Sequence, residues 1–258
     1  MSTTTIILTV SREDFLTEVL SSIELLECDQ TYTNILCIVD GDAKMFTKVR
    51  NLVQKTKFNE RLTVQYPDRK QIKRFDTVFR RKRIAAIHKW AQQFVGISEF
   101  VFLTEDDTLV PRDALKKLEK HIRETPGCVM AEGVEVGRWG IPYVGAWKFD
   151  DIYEPNSVTS LVYKRTGVEQ IDAGGFYCTL MRAANYKEQD FELFESLGPD
   201  ISMGLFLRRD GYVNLIDWSI PCRHLNITRH GVREVLVPNE DVRPTTIKRK
   251  SPNNWSIY

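Results

Sequence analysis

No long hydrophobic run, no excess of either charge and no closely spaced cysteine pair mark this sequence of 258 residues. The apolar stretch Ile6-Ile7-Leu8-Thr9-Val10 is too short to cross a membrane, and Met1-Ser2-Thr3-Thr4-Thr5 before it lacks the basic region of an export signal. The expectation is a soluble, cytoplasmic protein with no membrane partner. Five cysteines, Cys28, Cys37, Cys128, Cys178 and Cys222, are odd in number, scattered and never at CxxC spacing, which argues against a zinc site or a disulfide framework and fits a reducing compartment. With 36 basic against 35 acidic residues the net charge is +1, so any basic footprint has to be local. Internal repeats and low-complexity tracts are absent. Also missing is a glycine-rich phosphate loop after the first strand-like run, which weighs against a nucleotidyltransferase. Asn226-Ile227-Thr228 matches a glycosylation acceptor, a chance match in a chain without an export signal.

What is present is a 42% hydrophobic chain that can bury one large core. Thr5 to Val10 and Asn34 to Val39 read as buried strands and Leu62 to Tyr66 as a third, with helical periodicity between them from Phe15 to Leu26 and around Met45, Val49, Leu52 and Val53. Such alternation predicts a mostly parallel sheet with helices on its faces. Polar, basic Pro67 to Arg74 reads as a loop. Phe75 to Phe94 reads as a helix feeding a strand from Phe100, Pro111-Arg112-Asp113 opens a helix to about Ile122, and Cys128 to Val134 is a further strand. From Gly137 periodicity fails, and Trp139, Tyr143, Trp147, Phe149 and Tyr153 crowd an irregular excursion that either lines a ligand or forms a satellite core. Phe191 to Phe194 and the helical Ile201 to Leu207 flank Leu197-Gly198-Pro199-Asp200, Val213 to Ile216 reads as a closing strand, and the polar, basic end is expected to be flexible.

The chain is organised around Phe100-Val101-Phe102-Leu103-Thr104-Glu105-Asp106-Asp107, an apolar run that breaks into three adjacent carboxylates. Clustered carboxylates repel unless a cation joins them, and hard oxygen donors suit Mg²⁺ or Mn²⁺ with substrate phosphates completing the shell. Asp40, at the end of the second strand beside Gly41, can reach a base or ribose hydroxyl. Arg80-Arg81-Lys82-Arg83 opens a core helix and offers guanidinium forks to phosphate. Gly174-Gly175 permits close backbone approach to a ligand, and Asp200 can cap the helix that follows it.

Taken in this order, Asp40, the arginine-bearing helix, Glu105-Asp106-Asp107, the double glycine and the final acid–helix–histidine block resemble a GT-A glycosyltransferase of the inverting family-two type, over roughly residues 5 to 230. Asp200 stands eleven positions before Gly211-Tyr212, the spacing of that family's late acidic motif. Pro199, Ser202 and Glu105 depart from it, standing where an acid, a further acid and an Asp are usual. The resemblance implies one catalytic domain over 1–235, with a nucleotide half at 5–107 and an acceptor half at 108–235, and a tail at 236–258. It implies a metal held by Glu105, Asp107 and His224, a nucleotide-sugar donor, UDP-linked by preference, bound by Ser11, Asp40, Arg83, Asp106, Gly174 and Gly175, and Asp200 as catalytic base. The acceptor is a hydroxyl compound, with a hydroxymethylated base in DNA left open by the basic runs Arg80 to Arg83 and Lys248 to Lys250 and by aromatics able to receive a flipped base. A nucleotidyltransferase and a non-catalytic sugar-nucleotide or nucleic-acid binding module remain the alternatives from other classes.

Overall fold

The computed structural model describes residues 3–67, 77–136, 143–191, 197–228, 230–239, 244–251 and 254–257. Trp139, Phe194 and nearly all of the basic loop expected before the arginine-bearing helix lie outside the described residues.

The first half alternates as the apolar patterning requires: β1 (Thr4–Val10), α1 (Leu16–Glu24), β2 (Thr33–Val39), α2 (Ala43–Val53), β3 (Arg61–Gln65), α3 (Thr77–Ala91), β4 (Phe100–Glu105), β5 (Thr108–Leu109) and α4 (Ala114–Glu124). Then come β6 (Cys128–Val134), β7 (Ala146–Phe149), β8 (Ser157–Ser160), β9 (Val168–Ile171), β10 (Ala173–Gly174), β11 (Thr179–Arg182) and α5 (Ala183–Lys187). The chain ends with α6 (Pro199–Arg209), β12 (Val213–Pro221), β13 (Arg223–Ile227), β14 (Arg233–Leu236), β15 (Thr246–Ser251) and β16 (Asn254–Ile257).

Eight strands form the central sheet in the order β3-β2-β1-β4-β11-β6-β12-β9. β3, β2, β1 and β4 run parallel, β11 runs antiparallel between β4 and β6, and β12 is parallel to β6. The middle strands are apolar on both faces. Ile6, Leu8, Phe100 and Phe102 pack with Phe15, Val19, Val49 and Leu118 of the α1, α2 and α4 side, while Ile7, Val101 and Leu103 pack with Ile87, Ala91, Met203 and Leu207 of α3 and α6. Strand order reverses at β1, flanked by β2 and β4, so a crevice opens beyond the carboxyl ends of β1 and β4. Open α/β sheets bind ligands at such a point.

Several expectations change in detail. Helix α4 begins at Ala114 with Asp113 at the capping position, so Pro111 and Arg112 lie ahead of it. Asp200 is not a cap: Gly198 holds that position with φ +124°, Pro199 opens the helix, and Asp200 sits in its first turn. The closing strand runs on to Pro221. The segment expected as a flexible tail instead supplies β15 and β16, with β15 hydrogen-bonded to β8.

Candidate active site

The turn after β1 and the acids after β4 meet at the switch point. Thr9 is level with Glu105 in the parallel register, so Ser11 and Arg12 emerge beside Asp106 and Asp107. Asp106 Oδ2 accepts hydrogen bonds from Ser11 N at 2.6 Å, Arg12 N at 2.8 Å and Ser11 Oγ at 3.2 Å. Ser11 and Asp106, both expected to touch the nucleotide, thus bind each other, and Asp106 fastens the β1–α1 turn to the end of β4. Burial pushes the Asp106 carboxyl up against these donors.

Asp107 faces a different set of groups. Strand β13 pairs with β5, His224 opposite Thr108, which carries a histidine more than a hundred residues downstream to the acid. His224 Nε2 lies 3.4 Å from Asp107 Oδ2, and the histidine's Nδ1 lies 2.9 Å from the Val136 carbonyl. A carbonyl can only accept, so Nδ1 carries a proton. In the neutral ring Nε2 then turns a lone pair toward a carboxylate oxygen that Arg12 Nη2 also contacts, and a proton or a metal ion between the two acceptors would relieve their approach. A divalent cation fits that donor pair. Asp107 and His224 are 5% and 7% exposed. Among the described residues no three His, Cys, Asp or Glu side chains are grouped so that they could hold a metal ion together, the expected set Glu105, Asp107 and His224 included. Asp107 and His224 are the pair in contact, and Glu105 stays close enough to feel His224, Asp106, Arg80 and Arg12 while burial raises its carboxyl.

Around this pair sit acids that sequence reasoning missed. Glu135 Oε1 accepts from Thr108 Oγ1 at 2.7 Å and lies 3.3 Å from His224 Nδ1; burial, opposed by the imidazole, pushes its carboxyl to about 7. Glu132, in the middle of β6, is fully buried, its Oε2 has no hydrogen-bond partner among the described residues, and burial raises it well above the usual range. The warning in the sequence was two glutamates, Glu132 and Glu135, in and just after a strand that is otherwise apolar.

Glu132 also explains the double glycine differently. A Cβ on Gly174 would lie 1.4 Å from Glu132 Oε2, and one on Gly175 would lie 2.2 Å from the Tyr177 ring. The close approach expected of a ligand is made by the protein's own side chains. Gly174→Ala is therefore expected to destabilise the protein by roughly 1–3 kcal/mol, the cost of forcing the buried Glu132 carboxylate out of the way. Adding Glu132→Ala should recover most of that loss in chemical denaturation; no recovery in the double variant would show that the clash lies elsewhere.

Asp40 and Arg83, assigned separate ligand roles, are each other's partner. Arg83 Nε donates to Asp40 Oδ2 at 2.7 Å, Arg83 Nη2 also binds Asp40 Oδ1, and the guanidinium lies 5.5 Å over the Tyr66 ring. Arg83 is thus committed to the side of the crevice beyond β2, and the arginines whose charge reaches the acids are Arg80, acting on Glu105, and Arg81, acting on Asp200. Helical geometry separates them, since neighbours in a helix point about 100° apart. Asp200 accepts from the Ile201 backbone N–H at the start of α6, and burial, opposed by that bond and by Arg81, lifts its carboxyl to about 6.

Trp147 is buried against Val158, Ala173, Leu197 and Ile201, with the Tyr143 ring centroid 5.2 Å away. Its role is a satellite core, not a receptacle for a base. Asn226 of the chance glycosylation pattern hydrogen-bonds Glu234 within the β13–β14 pair. No helix among the described residues is long and apolar enough to cross a membrane.

A parallel β3-β2-β1-β4 half, an antiparallel strand, a second half and an acidic crevice at the switch point together make the GT-A fold. Solved structures share it. GalNAc-T7, crystallised with UDP, GalNAc and Mn²⁺, aligns at a TM-score of 0.62 and 10% identity over 87% of this chain and 43% of its own. The mannosyltransferase PcManGT from Pyrobaculum calidifontis, in complex with GDP-Man and Mn²⁺, aligns at 0.53 and 14% identity over 89% of this chain and 58% of its own. S. aureus TarS 1-349 in complex with UDP-GlcNAc aligns at 0.50 and 13% identity over 83% of this chain and 55% of its own. The chain therefore spans less than two thirds of each of these neighbours. No protein-family model matches the sequence. No curated protein matches it either.

Proposed function

We propose that this chain is a metal-dependent glycosyltransferase that moves a sugar from a nucleotide-diphosphate donor, UDP-linked by preference, to a hydroxyl acceptor. The observation that carries the reading is the 3.4 Å approach of His224 Nε2 to Asp107 Oδ2 at the switch point, with Nδ1 already committed to a carbonyl. A divalent ion held there by Asp107 and His224, with Glu105 direct or through water, would supply Lewis-acid stabilisation of the charge on the departing diphosphate. Arg80 and Arg81 add fixed positive charge beside Glu105 and Asp200. The Asp40–Arg83 pair under Tyr66 forms the wall against which the base rests, and the Ser11–Asp106 clamp keeps the β1 turn in place below it. Asp200 takes the proton of the acceptor hydroxyl, a single displacement that inverts the anomeric centre.

The DNA-acceptor reading gains less. Arg83 and Arg81 turn toward acids, leaving Arg80 and Lys82 as the exposed members of the run, and Trp147 is walled into a core. The acceptor is accordingly best written as a hydroxyl compound of unspecified class. A steep loss of acceptor binding with added salt would bring DNA back.

A thermal-shift screen of UDP, UDP-sugars and GDP-sugars, each with and without Mn²⁺, tests the proposal. A ligand at about 100 times its dissociation constant stabilises by ~2.7 kcal/mol, which in a chain of this size raises Tm by roughly 5–10 °C. The expected result is a shift for a UDP ligand with Mn²⁺ and much less without it. No shift with any nucleotide would defeat the reading, and release of pyrophosphate instead of a nucleoside diphosphate in turnover would assign the fold to nucleotidyl transfer.

A further inference from the structure

Arg12 touches both Asp106 and Asp107, and the chemistry above leaves it without a task. Its backbone N–H is fixed to Asp106, its Nε lies 3.5 Å from Asp106 Oδ1, and its Nη2 binds Asp107 Oδ2 directly. That last atom is the same carboxylate oxygen that faces His224 Nε2. An oxygen in close contact with a guanidinium cannot also take a divalent ion at bonding distance without placing two cations side by side. The two side chains differ in freedom: the Asp107 carboxylate side chain is nearly buried and the Arg12 side chain is 28% exposed, with its guanidinium carbon 5.6 Å over the Phe15 ring. Of the two side chains the arginine is therefore the one with solvent to move into, although Arg233 also stacks on Phe15, its guanidinium carbon 4.8 Å from the ring.

We propose that Arg12 is a built-in counter-cation that occupies the metal-ligating oxygen of Asp107 when no ion is bound, and that the ion binds by displacing it. The inference rests on the metal reading of Asp107 and His224. It follows from the charge balance of the crevice. Glu105, Asp106, Asp107 and Glu135 crowd one end of the sheet, and a protein that must stay folded without its metal needs a positive charge there that can later leave. A partly exposed guanidinium on a short tether does that; a buried one would block the site.

The test is a Mn²⁺ titration of the full chain without nucleotide, followed by the electron paramagnetic resonance signal of the free ion, for wild type, Arg12→Gln, Arg12→Lys and Asp107→Asn. Removing a competitor coupled to the carboxylate by about 1 kcal/mol should tighten Mn²⁺ binding roughly fivefold in Arg12→Gln. Arg12→Lys, which keeps the charge but loses the fork, should fall between that variant and wild type, and serves alone if Arg12→Gln does not fold. General damage to the site would weaken binding, so a gain in affinity is not what a merely structural role produces. Mn²⁺ affinity unchanged or lower in both Arg12 variants, with binding lost in Asp107→Asn, would overturn the proposal and leave the metal reading intact. Absence of Mn²⁺ binding in wild type, or binding indifferent to Asp107→Asn, would remove the metal reading and the proposal with it.

Discussion

Asp107→Asn is expected to lower kcat/KM for sugar transfer at least about 10³-fold, equivalent to ~4 kcal/mol of lost transition-state stabilisation, and to erase the Mn²⁺-dependent part of nucleotide binding. The substitution keeps the shape and one acceptor oxygen but removes the charge that holds a divalent ion opposite His224 Nε2, 3.4 Å away. Glu105→Gln should cost less, because Glu105 acts on the imidazole through space and is not in the contact pair. The folded state should survive: Asp106, which fastens the β1 turn, is untouched, and the variant loses one of several mutually repelling carboxylates. Circular dichroism and residual metal-independent binding of the nucleotide verify this. An Asp107→Asn protein that turns over within tenfold of wild type would remove metal chemistry from the site.

The central sheet was legible because its strands are buried on both faces, so apolar runs such as Ile6 to Val10 and Cys128 to Val134 stand out without any need for alternation. The acidic end of β4 was legible for the same reason, since the run stops where the core stops. The partnerships inside the crevice were not. Arg83 follows Asp40 by more than forty residues, and nothing in either neighbourhood shows that of the three arginines in Arg80-Arg81-Lys82-Arg83 it is the last that pairs beside β2, while the charge of Arg80 reaches Glu105 and that of Arg81 reaches Asp200. Three adjacent carboxylates looked like one ligand set, yet at the end of the strand consecutive side chains diverge. Asp106 was drawn into a clamp on the Ser11 turn and Asp107 was left for His224. Gly174 carried the right signal, close approach, and the wrong guest: only the position of Glu132 across the sheet reveals what the missing Cβ makes room for. Local apolar pattern encodes the scaffold, whereas side-chain pairing across it depends on register, which single-sequence periodicity does not contain.

Asp200→Asn is expected to depress kcat about 10³-fold or more while leaving Mn²⁺-dependent nucleotide binding in place, the reverse of the binding loss in Asp107→Asn. The asparagine can still accept the Ile201 N–H that anchors the first turn of α6, so what it removes is proton affinity. Burial lifts the Asp200 carboxyl from the ordinary 3.8 to about 6, and a base works only when ionised. The wild-type rate should thus be level above pH ~6 and fall about tenfold for each unit below it. Stability runs the other way. Because the folded state holds this proton more tightly than the unfolded chain, the contribution of Asp200 to stability is fully present below about pH 4 and is lost as pH rises through about 6. At pH 7 the neutral asparagine escapes that penalty, so Asp200→Asn should be more stable than wild type by on the order of 1–2 kcal/mol while nearly inactive. A less stable variant, or a wild-type rate that stays flat to pH 4.5, would mean that this carboxylate is a structural part of the helix start and that the proton goes to another group.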